Sequence, residues 1–587
     1  MHFSDFENYA NRFLQERGVR DPRVFTIIML VALLVVGARM FAPFQVGKDQ
    51  ASQLEAAENL ANGRGLITTA VGPASYDISV TPNVKYVTWW PPGFSIIVAL
   101  FLKLGFSLLL SLKLIYGAVS LLGWIGWGIL VGSTVAQPAK IVGRTYPIHL
   151  LLAALLPVLF TMAWDGTDIF LWAGIPFIFI WLFRQGEHPS YKAVAAAGLI
   201  LGAVCSIRHA SYFLGLFGFF VLLQVYFPDY KAALKRFAVF VGTASLFIIP
   251  TCIYLKAYAS GVAGITDRAT FAVVQRDPLM MVRWVVRALP MNFSIILGFP
   301  LLDQLIYKTG LRWLMRISGV LAAAILISLP VILIRNRKSQ QSPFQRDILV
   351  SISLLMLSLP AFLVAVDVTS AAGLMGVRRY YEPLALCSLL LFYPLATATL
   401  SHPVLARVAR VIVFAFVLNL IVFLPAQAFI GDRGGFLVKK VLGYVPTNDT
   451  RYRGTSHELS YPSLTMFSNK EASRQKIRQL AQANPDALFF VEEYPYFVYD
   501  GFARGGPTPG KNIRAFPHGE YWNRAYTTVP LKLFWVVNDG TNLDFMNNSD
   551  HELVFSDSVE RIKIIRAELP AGHRFQTITP PTHIAQN

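Results

Sequence analysis

The ionisable residues that interrupt the apolar pattern of this sequence are few, and they gather near the ends of apolar runs. Asp49 comes about six residues after Pro43, close to where the first long apolar run ends. A carboxylate there suits the activation of a hydroxyl, taking its proton as it attacks an electrophile. It also suits the N-cap of the segment that follows, although the Glu of a capping box is missing. Asp165 and Asp168 flank Gly166 in W-D-G-T-D (164–168), either as acids that orient a polar substrate or as turn residues. Arg208 and His209 end another apolar run, where the guanidinium either meets an anion or snorkels to head groups. Arg378, Arg379, Tyr380 and Tyr381 stand in V-R-R-Y-Y-E-P. Their paired guanidinium forks match the geometry of phosphate. Together these residues offer a base for a nucleophile and cations for a phosphate.

The elements that must position them are membrane spans. Of 587 residues, 54% are hydrophobic and 15% charged, against about 25% charged in soluble chains. Mean hydropathy is +0.49. Apolar runs of about 17 to 25 residues recur from Val24 to Ala428, each long enough for a hydrocarbon core of about 30 Å. The expected fold class is an all-α polytopic membrane protein of about eleven spans, with a small C-terminal α/β extramembrane domain. Ionisable groups at membrane depth are costly, which marks the set above as a candidate site. The net charge of +18 fits cytoplasmic loops and interfacial anchoring. No nucleic-acid partner is expected, because no basic run interleaves with exposed aromatics in a soluble segment. Cys205, Cys252 and Cys387 all lie in apolar runs, so the polar tail carries no disulfide.

Residues 1–23 carry Arg12, Arg17, Arg20 and Arg23 on an amphipathic stretch, too polar for a signal peptide, and place the N-terminus in the cytoplasm. A transmembrane domain is expected over 24–430, with external loops at 43–90 and 259–310. Its expected spans are Val24–Ala42, Leu112–Ser133, Pro147–Met162, Ile169–Phe183, Ala193–Ile207, Tyr212–Phe227 and Phe237–Tyr258. An eighth descends to R-N-R-K (335–338), followed by Ile348–Val366, Leu384–Leu400 and Val411–Ala428. Phe94–Leu110, interrupted by Lys103 and Gly105, reads as a juxtamembrane element. Counting it as a span would put R-N-R-K outside.

In the first loop a short amphipathic helix is expected, with Leu54, Ala57 and Ala61 on one face and Glu55 and Glu58 on a solvated one. Gly63 and Gly65 end it. Trp89 and Trp90 suit the interface, and Pro91-Pro92-Gly93 then breaks the chain. Residues 431–587 read as an external α/β domain, with a helix at Lys470–Ala483 and strands at Ala487–Val491, Leu531–Val537 and Arg561–Ala567.

There is no Walker loop, dinucleotide fingerprint or His/Cys cluster with metal-ligand spacing. No cofactor is indicated, and a divalent metal stays open. Two stretches carry a resemblance: D-Q-A-S-Q-L-E-A-A-E-N-L-A-N-G-R-G-L, and W-W-P-P-G-F-S-I-I-V-A-L-F-L-K-L-G. They resemble the start of the GT-C glycosyltransferases, polytopic enzymes that take sugars from polyprenyl-phosphate donors and include protein O-mannosyltransferase and aminoarabinose transferase relatives. W-D-G-T-D is similar to the acid of their second external loop, and V-R-R-Y-Y-E-P to a later basic-aromatic element. One position departs: Gln50 stands where a second acid is common. The resemblance implies transfer from a polyprenyl-phosphate sugar to a lipid, glycan or protein acceptor, with Asp49 as general base. It implies Arg378, Arg379 and Arg208 at the leaving phosphate, Tyr380 and Tyr381 in the same substrate-binding element, and Asp165 or Asp168 at the acceptor or sugar. The chain is expected among the lipids of a bacterial plasma membrane, since the external domain lacks disulfides and the length fits a bacterial member of this class, with the N-terminus cytoplasmic and, by the span count, the C-terminus external. Two other readings use the same residues: a transporter or flippase of a lipid-linked or anionic solute, and a ligase or polymerase with a diphosphate-lipid donor. Charges at one face, not at the midplane, disfavour the transporter.

Overall fold

The computed structural model describes residues 22–41, 48–68, 76–79, 85–88, 90–134, 139–141, 144–146, 166–183, 188–258, 312–335, 343–370, single positions in 384–395, 403–418, 471–492, 513–515, much of 522–558, and 562–575. Two compact units divide the chain. One comprises Met1–Ala42, Thr88–Gly93 and Leu114–Tyr444, and the other Pro43–Val87, Phe94–Lys113 and Val445–Asn587.

The first unit is helical. Its described helices are α1 (Pro22–Phe41), the greater part of the helix Leu108–Thr134, Asp168–Leu182, Tyr191–Ile207, Phe213–Val225, Tyr230–Tyr258, Arg312–Arg335, Pro343–Ser370 and Pro403–Leu418. Among the described residues three helical stretches are long and apolar enough to cross a membrane: Leu108–Gly132, Tyr230–Tyr258 and Asp347–Val366. The expected third span, Pro147–Met162, lies outside the described residues. The last helix differs from expectation. It begins at Pro403 and runs through Arg407 and Arg410 instead of starting after them. Both arginines are exposed, whereas Ala406, Ala409, Ile412 and Val413 are buried. The helix tolerates the charges because its period keeps them off the packed face.

Small residues set a close helix contact. The helix Tyr191–Ile207 packs on Tyr230–Tyr258. A Cβ at Gly198 would collide with the Phe240 carbonyl and the Thr243 hydroxyl, and one at Gly202 would lie 2.5 Å from the Ala244 carbonyl oxygen. Gly-x-x-x-Gly lets two backbones approach where apolar burial offers little drive. The other side of Tyr230–Tyr258 is apolar and open, with Leu246, Ile249 and Ile253 exposed, as suits contact with lipid. Gly202→Val is therefore expected to lower the unfolding temperature in detergent, at an overpacking cost of about 1–3 kcal/mol. An unchanged unfolding temperature would deny this contact.

Between the apolar helices the chain shortens. The helix Gly93–Lys103 has 11 residues, about 16 Å at 1.5 Å per residue, too short for a core of about 30 Å. Gly105, at φ +90, ends it before Leu108 begins the next helix.

In chain order the described strands are β1 (Ile67–Thr68), β2 (Lys85–Tyr86), β3 (Ala139–Ile141), β4 (Arg144–Tyr146), β5 (Leu488–Val491), β6 (Ile513–Ala515), β7 (Leu531–Asn538), β8 (His551–Asp557) and β9 (Ile562–Leu569). The second unit holds a five-stranded sheet in the order β6-β5-β7-β9-β8. β5 pairs parallel with β6 and β7, and β9 pairs antiparallel with β7 and β8. A helix, Glu471–Ala483, precedes β5. The core joins Phe490, Trp522, Leu533, Trp535, Ile565 and Phe575 to one residue from far upstream, Ile78. Residues 76–79 of the first loop are thus built into the sheet domain.

Asp77 fastens that segment. One carboxylate oxygen accepts from the Ser79 backbone N–H at 3.0 Å, and the other from Thr528 Oγ1 at 2.7 Å. Burial raises the carboxyl's pKa, but the hydrogen bonds from Ser79 and Thr528 outweigh it and hold the pKa below the usual value. A depressed carboxylate contributes stability that is present above the unfolded pKa, about 4, and lost as pH falls through the folded one. Asp77→Asn is expected to lower the unfolding temperature of this unit at pH 7, with the gap from wild type closing below about pH 4. A gap independent of pH would show that the charge contributes nothing.

Candidate functional site

The polar constellation of the helical unit forms where two helix ends and a Pro-Pro-Gly turn meet. Gly166, at φ +66, lets W-D-G-T-D turn tightly into the helix Asp168–Leu182. Tyr116, on the helix Leu108–Thr134, donates its hydroxyl proton to the Gly166 carbonyl at 2.6 Å. Thr167 is buried, and Asp168 begins the helix, where a negative charge is favoured by the dipole.

Arg208 arrives from the neighbouring helix. Tyr191–Ile207 ends as Arg208 turns to extended backbone, φ −146 and ψ 120, its N–H still bonded to the Val204 carbonyl. The guanidinium forms an ion pair with Asp168 and donates through Nη1 to Thr167 Oγ1 at 3.2 Å. Their side chains are 9% and 17% exposed, so this is a buried pair and not a surface one. Gly93 closes the same end, because a Cβ there would lie 2.5 Å from the Ser206 carbonyl oxygen. The turn that follows, His209–Tyr212, buries two further polar atoms. His209 Nε2 and Ser211 Oγ make no hydrogen bond among the described residues.

This arrangement fixes a guanidinium in place. Asp168 balances its charge and Thr167 its direction, so the fork keeps one orientation instead of sampling solvent. A ligand anion at this end would meet a pre-oriented cation in a poorly hydrated setting, where electrostatic interactions are strongest.

The chain is similar to ArnT. The match is to the crystal structure of ArnT from Cupriavidus metallidurans bound to undecaprenyl phosphate. It covers 92% of this chain and 97% of that one, at 13% identity and a TM-score of 0.46. No protein-family model and no curated protein sequence matches the chain. At that depth of similarity the chemistry rests on this chain's own residues.

Of the residues singled out in the sequence, Asp168 and Arg208 come together. Asp165, Arg378, Arg379, Tyr380 and Tyr381 lie outside the described residues, and so does the side chain of Asp49. The backbone of Asp49 is the second residue of the helix Lys48–Ala61, within its first turn and not ahead of it. That helix belongs to the second unit. Gln50, Ser52, Gln53, Leu54, Ala56 and Ala57 are buried along it, and Gly63 and Gly65, at φ +77 and +87, end it as expected.

The expected solvated face is half-buried. Glu55 accepts from Thr68 Oγ1 at 2.5 Å. Burial raises the pKa of Glu58, more than nearby Arg64 lowers it. A strand from the same loop covers this face, which helical periodicity alone does not reveal. Three residues of the helical site carried little signal in the sequence. Thr167 sits between two more conspicuous acids, Tyr116 is one aromatic in an apolar run, and Gly93 reads only as part of a chain break.

Proposed function

We propose that this chain is a membrane glycosyltransferase that moves a sugar from a polyprenyl-phosphate donor to an acceptor hydroxyl at the external membrane face. The observation that carries the reading is the buried guanidinium of Arg208, held between Thr167 and Asp168 where apolar helices end. A fixed cation at that depth is expensive unless it serves a ligand or a fold-defining contact. A lipid phosphate reaches this level of a bilayer without leaving it.

In the proposed reaction Asp49 takes the proton of the acceptor hydroxyl as its oxygen attacks the anomeric carbon. The bond from that carbon to the phosphate oxygen breaks, and polyprenyl phosphate departs with the electron pair. Attack opposite the leaving group inverts the anomeric centre. Arg378, Arg379 and Arg208 meet the developing phosphate charge, with Tyr380 and Tyr381 in the same basic-aromatic element. Asp168 acts through Arg208 as a positioning residue, which leaves Asp165 to orient the acceptor or sugar. The acceptor is a lipid, glycan or protein, and residues 431–587 are the external domain.

The test is transfer of radiolabelled sugar from a panel of polyprenyl-phosphate sugars by the purified chain in nanodiscs, with hydrolysis to free sugar read alongside. Turnover with one donor supports the class and names the sugar. Undecaprenyl phosphate, the lipid in the ArnT crystal structure, serves as the binding probe. Neither turnover with any donor nor competition by this lipid would move the weight to a transporter or a diphosphate-lipid enzyme.

A further inference from the structure

The second unit contains a connection that the reaction above does not use. Residues 76–79 of the first loop enter the sheet domain as a strand-like insertion. Ile78 N–H donates to the Tyr526 carbonyl at 2.9 Å, and Tyr526 N–H returns a bond to the Tyr76 carbonyl at 2.8 Å. Tyr526 bridges Asp77 on one side and Arg574 on the other, so three distant segments share one ladder. The side chains close it. Asp77 accepts from Ser79 Oγ and from Thr528 Oγ1, at 2.5 and 2.7 Å, and the Thr528 backbone N–H donates to Ser79 Oγ at 3.2 Å. Arg524 donates to the Tyr76 hydroxyl at 3.3 Å. Asp77 is 6% and Ile78 3% exposed, so this junction is internal to the domain and not a surface touch.

The same loop is fastened at its other end to the helix Lys48–Ala61. The strands Ile67–Thr68 and Lys85–Tyr86, which flank the inserted segment, pair with each other. Asn59 donates to the Ile67 carbonyl at 2.8 Å, and Thr68 to Glu55 at 2.5 Å. Val87 N–H donates to the Leu66 carbonyl at 3.0 Å. Ser95, from the next helix, donates to the Gln53 carbonyl at 2.8 Å. Glu55 and Asn59 are thus bonded to the paired strands, and Gln53 to the helix Gly93–Lys103. From there the loop reaches the sheet domain at Asp77.

We infer that Asp77, Ser79 and Thr528 form a clamp through which the C-terminal sheet domain positions the helix that carries Asp49. Coupling between remote elements is carried by a physical connection, and here it is the chain itself, which joins the paired strands to residues 76–79 on both sides. Here the described parts of the loop are tied, by hydrogen bonds at its strands and, at residues 76–79, by the buried Ile78 side chain and the Asp77 carboxylate. Releasing the tip returns conformational freedom to the loop and to the helix bonded to it. Asp77 and Thr528 are positioning residues, and the sheet domain is part of the machinery that places the base.

The test uses the full chain in nanodiscs with two readouts. The first is amide hydrogen exchange of residues 48–61. Asp77→Ala and Thr528→Val are each expected to raise it at least tenfold while β7 and β9 stay protected, and Thr528→Ser is expected to restore it. The second, which rests on the transferase reading, is a fall in kcat of about tenfold to a hundredfold with donor KM unchanged, as misplacement of a reacting group produces. Unchanged exchange in residues 48–61 with either variant overturns the clamp whatever the kinetics show. Altered exchange in a chain that transfers no sugar keeps the clamp and removes the transferase reading. If neither single variant folds, Asp77→Cys with Thr528→Cys is compared reduced and oxidised, the three native cysteines all lying in the helical unit. Oxidation is expected to return protection to the helix, and equal protection in both forms overturns the proposal.

Discussion

Replacing Asp49 with Asn is expected to lower kcat for transfer by about 10²- to 10⁴-fold, the contribution of a positioned base, with donor KM close to that of wild type. Asp49 is the second residue of Lys48–Ala61, so its carboxylate also favours the positive end of a helix dipole. Removing that charge costs about 0.3–1 kcal/mol, small beside the roughly 5–15 kcal/mol that holds a domain together. Asn is nearly isosteric and a good residue at helix starts, so the variant folds and the loss falls on the chemistry. A base used only in the transition state lowers kcat and kcat/KM together. Asp49→Glu restores the carboxylate but shifts it by a methylene, and is expected to recover part of the rate. Full kcat in Asp49→Asn with a lowered unfolding temperature would reduce Asp49 to a helix-terminus residue.

Local chemistry was legible in the sequence, and tertiary covering was not. The helix Lys48–Ala61 with its glycine stop, the short element broken at Gly105, and three strands and a helix of the sheet domain follow from periodicity and turn residues. The strand His551–Asp557 carries no clear sequence signal because it is an edge strand, exposed over half its residues and bulged between Leu553 and Phe555, so no clean alternation survives. Ile513–Ala515 is only three residues long. The junction of Asp77 with Thr528 joins positions about 450 apart, and nothing in Y-D-I-S announces such a partner. Within the helical unit, Asp168 and Arg208 were conspicuous as charges beside apolar runs. Their pairing depended on two helices standing antiparallel, which topology implies only after the spans are in place.

That pairing supports the second large expectation, which concerns stability and binding together. Asp168→Leu and Arg208→Met are each expected to destabilise the helical unit by about 3–5 kcal/mol, because each leaves a buried charge without its counter-ion. The double variant Asp168→Leu with Arg208→Met is expected to recover most of that loss, since an apolar pair can replace a buried ion pair at little net cost. The positive coupling in the cycle would measure the pair itself. Activity separates a brace from a site. If the pair only locks Tyr191–Ile207 to Asp168–Leu182, the stable double variant transfers sugar at the wild-type rate. If the guanidinium meets the lipid phosphate, the double variant folds, yet its affinity for undecaprenyl phosphate falls by at least tenfold. Arg208→Lys sharpens the distinction. It keeps the charge for Asp168 but loses the planar fork that reaches Thr167 Oγ1 at the same time. Its expected result is near-native stability with weakened lipid binding, read by thermal unfolding and by competition with labelled lipid. Wild-type binding in both Arg208→Lys and the double variant would assign Arg208 to the fold alone.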